Sequence, residues 1–359
     1  MSPRSNFFVR TAAWVAAAVI VLPALLLPTL LLTAMLLTTV LLSATPLQAK
    51  ETWNVSIFGP SRALTRGVEK AKEMMEAASG GEFEMKLHYA SSLAGPKETL
   101  DSIKIGAFEA GAMCAGYHPG KLPLTTVIEL PFIQTTDIRE NSRIQHALFT
   151  HPAVVREWKQ RWNAVYFQNL IVPTYEFMGN RRIGSTADMD GVRMRISGLN
   201  ATVLQDFGAV PTMVTSPETY DALSKGTIDM IGYPWTYAFG AFKLYEVSKY
   251  ATEHMAMGGF ACAIAVSADA WNALPTKLKA MLPQVQQAGL EEQFKAYAAA
   301  DEKWLPVFKE RLDVVPFPAA ERRKLIARAE PHWITWAKER DAEGMPGTEL
   351  LNFAKSLTK

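Results

Sequence analysis

The sequence predicts an α/β protein built from two α/β domains, and three observations lead there. Apolar residues alternate over residues 53–57 and again over 83–89, on either side of a segment with helical spacing, which is a strand, helix and strand unit. A second round of the same kind begins near Ala164. The residues after Ala49 number about 310, more than one hydrophobic core usually serves.

In the first domain Trp53, Val55 and Ile57 alternate with Thr52, Asn54 and Ser56, and Gly59 with Pro60 ends the strand. Ser61 is placed to cap a helix whose apolar positions are Leu64, Val68, Ala71 and Met75, with Gly80 and Gly81 as its stop. Phe83, Met85, Leu87 and Tyr89 then form the next strand, and the unit predicts a parallel sheet with a right-handed crossover. A helix over 98–105 leads into the small-residue strand AGAMCAG, which closes at Gly116.

The second round starts with AVYFQNLIV and continues with a strand over 191–197. Asn200 is placed to cap a short helix ending at Gly208, and Ser216 with Pro217 starts another ending at Gly226, followed by a strand over 227–231. The strand ACAIAVS precedes helical sequence from Thr276 to about Arg311, long enough to bridge two lobes. The expected division is residues 50–172 with 260–300 as one domain, and 173–259 with 301–359 as the other.

Arg4 and Arg10 precede a charge-free apolar run over 11–47 that ends in SATPLQA before Lys50. A basic start, an apolar middle and a small-residue exit describe a signal peptide cleaved after Ala49, while the length of the run leaves a retained membrane anchor open. Both readings put the remainder outside the cytoplasm, in the periplasm. With 37 Lys and Arg against 35 Asp and Glu, no basic stripe recommends nucleic acid. The two cysteines, Cys114 and Cys262, form either one disulfide or two buried thiols, and the unpaired thiols are the starting expectation.

Val192, Met194 and Ile196 alternate with Arg193, Arg195 and Ser197, so one strand face packs while the other presents guanidinium groups. A fixed cation beside a cleft suggests an anion binder. The segments GVRMRIS, FGAVPTMV and ETYDALSKGTIDM, with SSLAGPKETLDSIKIGAFEAG, LPFI and NRRIGSTADMDGVRMR upstream, resemble the solute-binding proteins of tripartite ATP-independent periplasmic (TRAP) transporters, the DctP-like family. The resemblance covers nearly all of the chain after residue 49. It implies a two-lobed periplasmic binding protein with crossing hinge strands and a long bridging helix. Such a receptor closes over an organic acid and delivers it to membrane permease subunits. The family Arg that grips the ligand carboxylate falls on Arg195, where a planar guanidinium can donate two parallel charge-assisted bonds.

Where members of that family often carry a further polar or basic residue, this chain has Thr174 or Tyr175, and where many have a pocket carboxylate or amide it has Gly232 and Tyr233. A hard cation needs oxygen donors, so no metal and no cofactor are expected. Aromatic residues replace the missing polar groups: Tyr233, Trp235 and Tyr237 after the 227–231 strand, and Tyr117 with His118 at the end of AGAMCAG, where open sheets place ligands. Phe260 is expected at the hinge or pocket rim. One Arg within aromatic walls describes an acid with one carboxylate and a flat or branched apolar body, ahead of a C4-dicarboxylate. The chain lacks a nucleophile elbow, a zinc helix and a phosphate loop, and His118, His146 and His151 lack the spacing for a shared helical face. An enzyme acting on small acids is therefore the rival class, and monomer is the default state.

Overall fold

The structure, a computed structural model, describes residues 50–196 and 198–358. The expected signal or anchor segment, residues 1–49, lies outside the described residues. Two mixed sheets organise the rest. The first has the order β2-β1-β3-β10-β4, from strands Glu51–Ser56 (β1), Phe83–His88 (β2), Ala110–Cys114 (β3), Ala164–Asn169 (β4) and Cys262–Ser267 (β10). The second has the order β11-β9-β5-β8-β6-β7, from Tyr175–Gly179 (β5), Arg193–Arg195 (β6), Val210–Pro211 (β7), Met230–Pro234 (β8), Tyr250–Glu253 (β9) and Asp313–Pro316 (β11).

The alternation read in β1 and β2 is a burial pattern. Trp53, Val55, Phe83 and Met85 are buried, and the Trp53 ring meets Phe83 edge-on at 5.1 Å and Phe167 at 5.5 Å. Strand β1 runs parallel to β2 and β3, as the crossover predicts. Strand β10 departs from the expected parallel sheet, running antiparallel to both β3 and β4. It arrives from the second sheet through an extended segment and not through a crossover helix, so nothing constrains it to the parallel direction.

The chain passes from the first sheet to the second between β4 and β5, around Pro173, and returns between β9 and β10, through Phe260. The returning segment is tied down from two sides. The Glu176 carboxylate accepts from Thr252 Oγ1 at 2.7 Å, Ala256 N at 2.9 Å and Met255 N at 3.2 Å, while Arg322 Nε donates to Met255 O at 2.9 Å. Asn200, expected as a helix cap, is the first residue of the helix Asn200–Gln205, and its Nδ2 instead donates to Gly259 O at 3.0 Å.

A third connection is the helix Leu282–Arg311, whose 30 residues span about 45 Å at 1.5 Å per residue. Its first half packs on the first lobe at a close crossing of Gly289 and Gly67. A Cβ at Gly289 would lie 2.9 Å from Gly67 O and closer still to the Gln168 amide. Its second half carries Trp304 and Phe308 against aromatic residues of the second lobe.

Residues 329–357, expected with the second domain, pack elsewhere. Helices Ala329–Ala342 and Gly347–Leu357 bury Trp336, Leu350, Leu351 and Ala354 in the cluster that holds Val127, Ile144 and Leu148 of the first lobe. Trp336 Nε1 donates to Thr126 Oγ1 at 2.9 Å. An amphipathic helix shows which face is apolar but not which lobe covers it. Cys114 and Cys262, directly opposed on β3 and β10, are joined in a disulfide, so the unpaired-thiol expectation does not hold. Among the described residues no helix is long and apolar enough to cross a membrane.

Candidate ligand-binding site

The site begins at the end of β6. This strand lies between β7 and β8, and Met194 and Arg195 pair in register with Met230 and Ile231. Two guanidinium groups leave it and meet different fates. Arg193 forms a two-pronged pair with Asp229, Nη2 to Oδ1 at 2.7 Å and Nε to Oδ2 at 3.0 Å, and its side chain stays partly exposed. Arg195 is 0% exposed. Its Nε donates to Val214 O at 3.0 Å, its Nη1 to Gly232 O at 3.2 Å and its Nη2 to Tyr117 Oη at 3.3 Å. The guanidinium carbon sits 4.5 Å from the centre of the Tyr233 ring, a cation–π contact. Among the described residues no carboxylate lies within ion-pair distance of it.

Tyr117 comes from the other lobe, in the turn that follows β3. Its hydroxyl accepts from Arg195 Nη2 and from Ser216 N, both at 3.3 Å, which leaves its own proton for Ser216 Oγ at 2.9 Å. These side chains surround a small cavity of about 30 Å³ between the lobes. Tyr175, Tyr237, Phe260 and the Cys114–Cys262 disulfide complete part of its wall. Burial pushes the Tyr175, Tyr233 and Tyr237 hydroxyls above the ordinary phenol range, so they remain neutral hydrogen-bonding groups.

Six of the eight residues singled out in the sequence face this cavity: Arg195, Tyr233, Tyr175, Tyr117, Tyr237 and Phe260. Two do not. His118, next to Tyr117, is buried away from the cavity beside Lys121 and Asp101, and burial lowers its pKa to about 4. Trp235 packs its ring on Phe239 at 5.7 Å and Phe308 at 5.5 Å, filling the seam with the bridging helix. The sequence reading missed Phe58, Arg62, Ser216 and Phe242, which also line the cavity. Arg62 follows the carboxyl end of a parallel strand, the position from which a ligand contact can be anticipated.

The model for bacterial extracellular solute-binding protein, family 7, matches residues 55–339. The chain belongs to that family. The receptor is 23% identical over 316 residues to the outer membrane transporter protein TsaT of Comamonas testosteroni, covering 84% of this chain and 89% of that one. A TRAP periplasmic solute-binding protein from Desulfovibrio salexigens, solved with orotic acid, superposes at a TM-score of 0.76 with 19% identity, over 86% of this chain and 98% of the other. A TRAP solute-binding protein from Rhodoferax ferrireducens, solved with copurified benzoate, superposes at 0.73 with 24% identity, over 85% and 97%. These likenesses establish the two-lobed fold. The receptor's role is that of an extracytoplasmic solute-binding protein of TRAP type.

Proposed function

We propose that this receptor binds an organic acid with one carboxylate and a flat or branched apolar body, and hands it to the permease subunits of a TRAP transporter. One observation carries the reading: Arg195 is a fully buried cation, facing an interlobe cavity, with no carboxylate of the described residues paired to it. Burying an unpaired charge costs several kcal/mol, and an incoming carboxylate offsets that cost. Val214 O, Gly232 O and Tyr117 Oη take three of the five N–H donors, and the remaining N–H groups of Nη1 and Nη2 are left to grip the ligand. Tyr233, Tyr175, Tyr237 and Phe260 cover the apolar body. The benzoate and orotic acid held by the two structural relatives fit the same description of a flat acid.

In this mechanism the lobes part about the segments near Pro173 and Phe260, the acid enters, and closure brings Tyr117 onto Arg195. The closed form then presents the surface that the permease reads. Residues 1–49 deliver the chain across the inner membrane, as a cleaved signal or as an anchor, and the receptor works as a monomer without cofactor or metal. Thermal-shift screening against a library of organic acids tests the reading, since a ligand bound only by the native state raises the midpoint by mass action. Stabilisation by at least one flat or branched monocarboxylate, with no turnover of it on prolonged incubation, is the expected result. A screen in which only sugars or cations stabilise the receptor, or in which the acid is consumed, would refute it.

A further inference from the structure

Arg62 is a second buried guanidinium at the same cavity. It leaves the turn after β1, is 7% exposed, and its Nη1 donates to Phe58 O and Pro60 O, each at 2.8 Å. Among the described residues no carboxylate pairs with it, and Nε and Nη2 have no hydrogen-bond partner. The contacts around it form a closed ring of six side chains. The Arg62 guanidinium lies 5.1 Å from the Phe58 ring, and Phe58 meets Tyr117 edge-on at 6.0 Å. Tyr117 Oη accepts from Arg195, whose guanidinium lies over Tyr233. Tyr233 lies 5.7 Å from Phe242, and Phe242 returns to Arg62 at 5.6 Å. The two cations therefore occupy opposite positions of the ring, separated by two aromatic rings on either side. One pair of rings comes from the first lobe and the other from the second.

We infer that Arg62 is a specificity-determining ligand contact, and that the site selects flat acids carrying a second oxyanion group across the ring from the carboxylate held by Arg195. This rests on the reading of Arg195 as the carboxylate anchor, and adds to the flat monocarboxylates of that reading a tighter-bound subclass whose body carries a second oxyanion at its far end. The electrostatics favour it. Arg62 brings N–H groups without a partner among the described residues to the same cavity, and a dianion offers a partner to both guanidinium groups. The aromatic sides of the ring match a planar body, and its charged poles match the two ends. Arg62 also borders an outer groove lined by Arg66, Lys295 and Lys303, of which Arg66 pairs with Glu69 and Lys295 with Glu292.

Arg62 could instead serve only to hold the turn through Phe58 O and Pro60 O, and the test separates the two roles. Calorimetric titration of the full receptor with benzoate, terephthalate and isophthalate gives the preference for a second carboxylate. The expected result is a dianion bound about tenfold or more tighter than benzoate, a preference that falls to within about threefold in Arg62→Gln and is partly kept in Arg62→Lys. Equal affinity of the unmodified receptor for benzoate and both dianions overturns the inference without needing any variant. So does an Arg62→Gln variant that weakens benzoate and the dianions by the same factor, which is the signature of a turn-holding role. Failure of the underlying reading is seen separately: Arg195→Lys would then leave the affinity for benzoate and the dianions alike unchanged.

Discussion

Arg195 Nη2 donates to Tyr117 Oη at 3.3 Å across the boundary between the two sheets, so the second lobe's buried cation is capped by a hydroxyl of the first. The same hydroxyl meets Ser216 of the second lobe. In the proposed mechanism, opening the lobes breaks this junction and exposes the cation, and closing restores it.

Tyr117→Phe keeps the edge-on contacts to Phe58 and Phe260 and removes the junction's hydrogen bonds. A net loss of about 1 kcal/mol in closure is expected, read as a several-fold rise in Kd for the tightest acid and a more extended form in small-angle scattering. An unchanged Kd together with an unchanged scattering profile would show that the junction does not stabilise closure.

The buried Glu129 carboxyl links stability to pH. It accepts from Gly116 N at 2.8 Å and Ala261 N at 3.1 Å, its Oε2 has no partner, and burial raises its pKa to about 8. Its folded pKa lies above the unfolded carboxyl value, so the native state binds the extra proton. The stability this group provides is full below about pH 4.5 and is lost as pH rises through about 8. Burial raises Glu157 and Glu176 in the same direction. Glu129→Gln, which keeps an acceptor for both N–H groups, should flatten the decline in chemical unfolding free energy between pH 5.5 and 8.5. The expected recovery at pH 8.5 is at least ~1.4 kcal/mol, the equivalent of one pKa unit. A variant with the wild-type slope would contradict the assignment.

The Cys114–Cys262 bridge closes a loop across 148 positions of sequence. Replacing both residues by Ala should lower the unfolding free energy by about 2–5 kcal/mol in urea titrations. It should also make the unfolding curve insensitive to reductant. An unshifted midpoint in the double variant, or a midpoint of the unmodified protein that reductant leaves unchanged, would exclude the bridge as a stabilising link.

What could be read from the chain was whatever depends on local period. Trp53, Val55, Phe83 and Met85 announce β1 and β2 because a half-buried strand alternates. Arg195 stands out because it interrupts an apolar strand. What stayed hidden depends on distant partners. Arg193 and Arg195 share a strand face, and only distant partners separate them: Asp229 makes the first a surface pair, while Tyr117 and Tyr233 cover the second. The strand expected over 227–231 starts three residues later, because Asp229 N donates to Arg193 O and its carboxylate holds Arg193 before the β8 pairing begins. Tyr117 and His118 are neighbours, and the turn after β3 sends one into the cavity and the other away from it. Arg62 follows Ser61, the expected helix cap, and its place opposite Arg195 comes from two lobes meeting.

Titration of the tightest-binding acid from the screen into unmodified receptor and into Arg195→Lys tests the central claim most directly. A compact ammonium cannot reproduce the two parallel bonds of a guanidinium, so the account predicts a loss of more than about tenfold in affinity, ~1.4 kcal/mol. Equal dissociation constants for the two proteins would contradict it.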